Sequence, residues 1–130
     1  MATGVQAQTT CTAGFGTFGV PGNIRYTASS TLTLINGFNK EIVNASAAVV
    51  ILRPDTNPNN PVNPNNPLDW IALNNGGLGF ITYAPNLRSV SGSVERATPF
   101  PPGAKVKWSY KLRPSGGTVV DPTPFTVLSP

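Results

Sequence analysis

The sequence predicts an all-β protein: a single antiparallel β-sandwich, Ig-like or jelly-roll-type, with about eight to ten short strands and a long Pro/Asn-rich loop. Three observations support this prediction. The 130 residues include 14 prolines and 13 glycines, which suit turns better than helices. Apolar and polar residues alternate strictly in several segments, most clearly in residues 104–112, AKVKWSYKL. Short turn signals separate these segments.

The size and composition fit one folded domain over residues 1–130. A chain of this length buries roughly two-thirds of the surface that it exposes when unfolded. Hydrophobic residues make up 39% of the chain, so it has enough apolar side chains to fold. Residues 1–23 are predicted as an N-terminal arm, and residues 53–68 as the Pro/Asn-rich loop.

In the first half of the chain, strands are predicted at residues 5–10, 24–27, 30–35 and 41–52, with a short buried helix as the alternative for residues 47–52. Asn36 and Gly37 follow the third of these, and both residue types tolerate positive φ. This pair therefore predicts a hairpin turn.

The segment Gly14-Phe15-Gly16-Thr17-Phe18-Gly19 matches the letters of a dinucleotide-binding motif. Such a motif needs a buried strand before it and a helix after it, and neither flank has that character. We therefore predict a glycine loop anchored by Phe15 and Phe18.

Residues 53–67 read RPDTNPNNPVNPNNP and contain the sequence Asn-Pro-Asn-Asn-Pro twice. Each proline removes a backbone donor and restricts the residue before it, which excludes a helix or a central strand. The segment is either an extended surface connector or a loop that docks on a neighbouring subunit.

Asp55, Asn57 and Asn59 resemble the start of a calcium-binding loop, but the glycine and glutamate that such a loop requires further along are missing. On the docking hypothesis, the assembly contacts are Asn57, Asn59, Asn60, Asn63, Asn65 and Asn66.

In the second half, strands are predicted at residues 69–73, 78–83, 87–95, 104–112, 118–120 and 125–128. The sequence Asn-Asn-Gly-Gly at 74–77 predicts a hairpin between the first two. Gly92 indicates a bulge or a close approach of another backbone. Trp70, Phe80 and Tyr83 are assigned to the core.

The strand at 104–112 has two distinct faces. Its apolar face predicts the core anchors Val106, Trp108, Tyr110 and Leu112, and its other face carries Lys105, Lys107 and Lys111. The lysines could protect a sheet edge, contact an acidic protein surface or contact phosphates. Because the aromatic residues point to the opposite face, the lysine face is not a base-stacking platform, which argues against nucleic acid. Lys105, Lys107 and Lys111 are therefore candidate assembly contacts.

The residue inventory argues against an enzyme and against a cofactor or metal site. The chain has no histidine and one cysteine, which excludes the usual nucleophile–histidine arrangements and cysteine-based zinc sites. The five acidic residues are spread along the chain and form no recognisable carboxylate pair. We expect no signal peptide, and no apolar run approaches the ~20 residues that span a bilayer.

These exclusions, together with a charged fraction of only 11%, favour a surface that neighbouring molecules cover. We expect a structural protein, such as a virion coat or capsid-decorating subunit, whose partners are copies of itself or a capsid protein. It would be made in the host cytoplasm. The alternative is a secreted sandwich that binds carbohydrate or a cell surface, using Trp70 and the Asn-rich loops.

Overall fold

A computed structural model describes residues 9–114 and 125–128. Two antiparallel four-stranded sheets account for the fold, in the strand orders β1-β2-β6-β5 and β4-β3-β7-β8. The all-β prediction is confirmed. The strands are β1 (Thr9–Val20), β2 (Asn23–Leu34), β3 (Lys40–Leu52), β4 (Trp70–Gly77), β5 (Gly79–Tyr83), β6 (Ser89–Arg96), β7 (Lys105–Pro114) and β8 (Phe125–Leu128), and a short 3₁₀ helix spans Pro67–Asp69.

One hydrophobic core receives side chains from both sheets. Leu32 and Val90 reach it from the first sheet, and Ile42 and Val49 reach it from the second. Strand β7 contributes most, because alternate residues of a strand share one face. Fully burying a large apolar side chain contributes roughly 1.5–3 kcal/mol, so β7 is a major source of stability. Its buried residues are Val106, Trp108, Tyr110 and Leu112, exposed by 0%, 0%, 4% and 1%.

The N-terminal part of the described chain is a strand. Residues 9–20 form β1, which pairs with β2 without interruption from Thr9 opposite Leu34 to Val20 opposite Asn23. The predicted glycine loop at 14–19 is therefore wrong, and residues 9–20 do not form an arm. The glycines are accommodated because the exposed outer strand of a sheet demands little side-chain packing. Residues 1–8, which include most of the predicted strand at 5–10, lie outside the described residues.

Two predicted hairpins are instead crossings between the sheets. The turn at Asn36 and Gly37 leads from β2 in one sheet to β3 in the other, with Gly37 at φ 92°. Residues 74–77 end β4, which pairs with β3, whereas the next strand, β5, pairs with β6. A turn signal specifies a local chain reversal, but burial of the inner face of each sheet determines which strands pair.

Strand β6 carries the predicted close approach at Gly92. A Cβ atom built on Gly92 would lie 2.6 Å from Ile81 Cδ1 and 3.2 Å from the carbonyl oxygen of Gly79. Glycine is needed there because the irregular start of the neighbouring strand β5 and the Ile81 side chain occupy the space that a Cβ atom would need. The predicted strand at 118–120 lies outside the described residues.

Candidate functional site

The Pro/Asn-rich loop folds as two successive turns of the same kind. In the first, the side-chain oxygen of Asn57 accepts a hydrogen bond from the Asn59 N–H at 2.9 Å, and the Asn60 N–H donates to the Asn57 carbonyl at 3.0 Å. The same two hydrogen bonds recur at residues 63–66, at 3.0 and 2.9 Å. Proline in the second position presets the backbone angle of each turn. The sequence repeat thus encodes a structural repeat.

An ion pair fastens this loop to the sandwich. Arg53 Nε donates to Asp69 Oδ1 at 2.7 Å, and the other carboxylate oxygen of Asp69 accepts from the Asn63 N–H, also at 2.7 Å. The Arg53 guanidinium also donates to the carbonyl oxygens of Asn60 and Pro61. These donors hold the pKa of Asp69 below its usual range, with the Arg53 hydrogen bond as the largest cause. The interpretation as an extended connector is therefore wrong.

Trp70 and two lysines of β7 complete the attachment of the loop. The indole N–H of Trp70 donates to the Pro64 carbonyl at 2.9 Å, and the Trp70 side chain is buried. Lys107 Nζ donates to the carbonyl oxygens of Trp70 and Pro67, at 3.0 and 3.3 Å. Lys105 Nζ lies 5.7 Å from the centre of the Trp70 ring, within range of a cation–π contact.

The lysines of β7 do not line a sheet edge. Strand β7 lies between β3 and β8, so the prediction that Lys105, Lys107 and Lys111 protect an edge is wrong. Sequence alternation identified the face of the strand but contains no information about its place in the sheet. Lys105 instead lies over the Trp70 ring, and Lys107 donates to backbone carbonyl oxygens of Pro67 and Trp70. Lys111, on the same face nearer the end of the strand, is half-buried.

The six asparagines predicted as assembly contacts divide into two groups. The side chains of Asn57, Asn63 and Asn66 accept backbone N–H groups within the loop. The other three side chains are exposed and make no hydrogen bond to the described part of the chain; they belong to Asn59, Asn60 and Asn65. Only the side chains of this second group are free of hydrogen bonds within the loop, so they remain candidates for the predicted assembly contacts.

Exposed apolar side chains on the outer strands of the first sheet are the feature that sequence reasoning missed. Phe18 and Val20 on β1 are exposed by 51% and 63%, and Phe80 on β5 is exposed by 89%. The assignment of Phe80 to the core is wrong, because the register shifts between Gly79 and Thr82 and Phe80 adopts a positive φ of 51°. The preceding glycine is the one local signal of this irregularity.

Other aromatic side chains near these strands have packing or hydrogen-bond partners within the chain. The Phe15 ring packs edge-on against Phe100, with 5.5 Å between the ring centres, and the Arg96 guanidinium lies 5.0 Å above Phe100. Tyr83 is half-buried, and its hydroxyl oxygen accepts the Ala45 N–H at 2.8 Å. Phe18, Val20 and Phe80 are therefore exposed on the outer strands of the first sheet, and Leu68 and Ile71, just before and at the start of β4, are exposed by 82% and 42%.

Within residues 9–114 and 125–128, no group of three or more His, Cys, Asp or Glu side chains is arranged to hold a metal ion. That part of the chain also has no helix long and apolar enough to cross a membrane. In comparisons with known proteins, the chain matches no protein-family model, no curated protein and no solved structure.

Proposed function

We propose that this protein is a non-enzymatic structural subunit that assembles with copies of itself or with a capsid protein, as a coat or capsid-decorating component of a virion. The observation that carries the proposal is the exposure of Phe18, Val20 and Phe80 on the two outer strands of one sheet. Covering apolar surface contributes roughly 25 cal/mol per Å², which favours a protein partner at these edges.

The scarcity of charge supports the same proposal. Nine basic and five acidic residues in 130 are few for a protein with a fully solvated surface. Charged residues are depleted at the centres of protein interfaces, where desolvating them is costly. A surface of Ser, Thr, Gly and isolated aromatic residues is suited to close contact with neighbouring subunits.

We infer that the sandwich is Ig-like rather than jelly-roll-type. When β1 to β8 are assigned as strands A, B, C, C′, D, E, F and G, the two sheets become A-B-E-D and C′-C-F-G. This is the immunoglobulin arrangement with one additional strand beside C. In this arrangement β1 and β5 are outer strands, and the exposed apolar side chains lie on them.

The alternative of a carbohydrate-binding module has less support. A stacking platform needs an exposed aromatic face, whereas Trp70 is buried beneath the loop and Lys105.

Light scattering coupled to size-exclusion chromatography, followed by electron microscopy, tests the proposal. We expect oligomers whose population grows with concentration, or decoration of particles from the native source. Phe80→Ser should weaken assembly, whereas Thr82→Ser, an exposed change on the same strand, should not. A monomer at every concentration that also fails to bind native particles would overturn the proposal.

A further inference from the structure

We propose that two copies of this chain pair through the outer edge of β1, antiparallel and about a two-fold axis, so that their two first sheets become one continuous sheet. This inference rests on the proposed assembly function and identifies one surface that takes part in it; Phe80 lies on β5, the other outer strand of the same sheet.

Of the four outer strands in the described part of the chain, three are short or irregular. Strand β5 has five residues, with a register shift and a left-handed residue at Phe80. Strand β4 has a register shift against β3 and a left-handed residue at Asn75. Strand β8 has four residues. Short and bulged outer strands are features by which proteins prevent another strand from pairing with them.

Strand β1 has none of these features. It has twelve residues, pairs with β2 in one unbroken register, and contains neither proline nor a charged residue. Among the described residues, no strand pairs with its outer edge. A long, regular edge of this kind presents a row of backbone N–H and C=O groups, which is the template for strand addition.

A second copy of β1 is the partner that fits. A homotypic contact between regular edges must join β1 to β1, since the other described outer strands are short or irregular. Two-fold pairing sets each residue opposite another residue of the same strand, and since β1 has no charged residue, no like charges meet across the pair. A two-fold contact also closes on itself and gives a dimer instead of an open fibre.

The side chains on the outward face of β1 suit this arrangement. Thr10, Thr12, Gly14 and Gly16 are small and exposed, and Phe18 follows on the same face. Antiparallel overlap about the middle of the strand places the Phe18 end of one copy against the Thr10 end of the other. Each aromatic side chain then packs across the pair against a β-branched residue, a favourable cross-strand contact.

A matched pair of lysine substitutions tests the pairing. A Cβ atom at Gly14 meets only Ser29 Oγ at 3.8 Å, an ordinary contact, so Gly14→Lys should fold. It puts two lysines close together at the centre of the dimer. Ser29→Lys adds the same charge directly opposite Gly14 in β2, one strand away from the interface. In sedimentation velocity, Gly14→Lys should raise the dimer dissociation constant by about tenfold or more, and Ser29→Lys should leave it nearly unchanged.

Hydrogen exchange identifies the strand that is covered. The β1 amides should exchange more slowly in the wild-type dimer than in Gly14→Lys, while the β6 amides should be equally protected in both, which shows that the fold is intact. If the Gly14→Lys dimer persists and its β1 exchange is unchanged, the β1 pairing is overturned, but assembly through another surface is still supported. A wild type that is monomeric at all concentrations also overturns the pairing, and the proposed function fails with it only if that monomer binds no native particle.

Discussion

The indole N–H of Trp108 donates a hydrogen bond of 2.8 Å to the hydroxyl oxygen of Ser30, across the interface between the two sheets. Ser30 in turn donates to the carbonyl oxygen of Thr12 at 2.7 Å. Trp108 and Ser30 are both buried, so this polar connection lies inside an otherwise apolar core. It satisfies the indole N–H and fixes the relative position of β2 and β7.

Ser30→Ala should lower the free energy of unfolding by about 1–3 kcal/mol, because it leaves the Trp108 N–H buried without an acceptor. Urea unfolding monitored by tryptophan fluorescence measures the change. Ser29→Ala is the control, since Ser29 is exposed on the same strand. Equal effects of the two substitutions would contradict the role of this hydrogen bond.

Cys11 should react slowly with thiol reagents in the native protein. Burial raises the pKa of the Cys11 thiol, which disfavours the reactive thiolate. Because the native state keeps this proton and the unfolded state loses it above about pH 8.5, the stability should fall as the pH rises beyond that value. Labelling should accelerate in denaturant, and fast labelling of the folded protein would refute the prediction.

The loop attachment should weaken in acid. The pKa of Asp69 is lowered in the folded protein, so its ionised form adds stability above the unfolded pKa of about 3.9, and this is lost as the pH falls through the lower folded value. NMR of the Trp70 indole N–H and the Asn63 amide should follow this loss. Asp69→Asn should abolish the acid response, and Asp55→Asn should preserve it.

Lys107→Ser should lower the free energy of unfolding by about 1–2 kcal/mol, since Lys107 donates to two carbonyl oxygens at the base of the loop. The sequence alone predicts no stability change for serine at Lys105 and Lys107. Lys111→Ser is the matched control on the same strand face. Thermal unfolding that ranks the two single variants equally would count against the Lys107 contacts.

Gly92→Ala should cost about 1–3 kcal/mol, because the added methyl group must displace Ile81 or the backbone at Gly79. Gly77→Ala provides the comparison, since nothing lies within 4 Å of a Cβ atom there. Chemical denaturation of both variants measures the difference. A Gly92→Ala variant as stable as Gly77→Ala would show that β5 can move away from β6.

The sequence predicts most accurately the strands that combine strict alternation with a buried face. In β7, four apolar residues at alternate positions identify both the strand and its inward side. The sequence does not identify β1 as a strand, because Gly14, Gly16 and Gly19 are typical of a loop; pairing with β2 makes this segment a strand.

Contacts between distant residues could not be predicted in the same way. Arg53 and Asp69 are separated by the whole Pro/Asn-rich loop. No local pattern indicates that they form an ion pair that holds the two turns of the loop in place. The exposure of Phe80 depends on a register shift between two strands, a property of the pairing that is not visible in the strand sequence. The residue pattern therefore predicts several strands and their buried faces, whereas only the structure shows which strands lie side by side.

The pairing of the central strands also determines how this chain can fold. Tyr26 pairs with Arg96, and Lys40 pairs with Pro114, so each sheet is completed only when distant segments meet. Closing such long loops costs chain entropy before the contacts form, and folding in milliseconds to seconds is typical of such topologies. The β1–β2 hairpin is local and can form early. During synthesis, the apolar inner face of this hairpin stays exposed to solvent until β6 and β7 have left the ribosome and can pack against it.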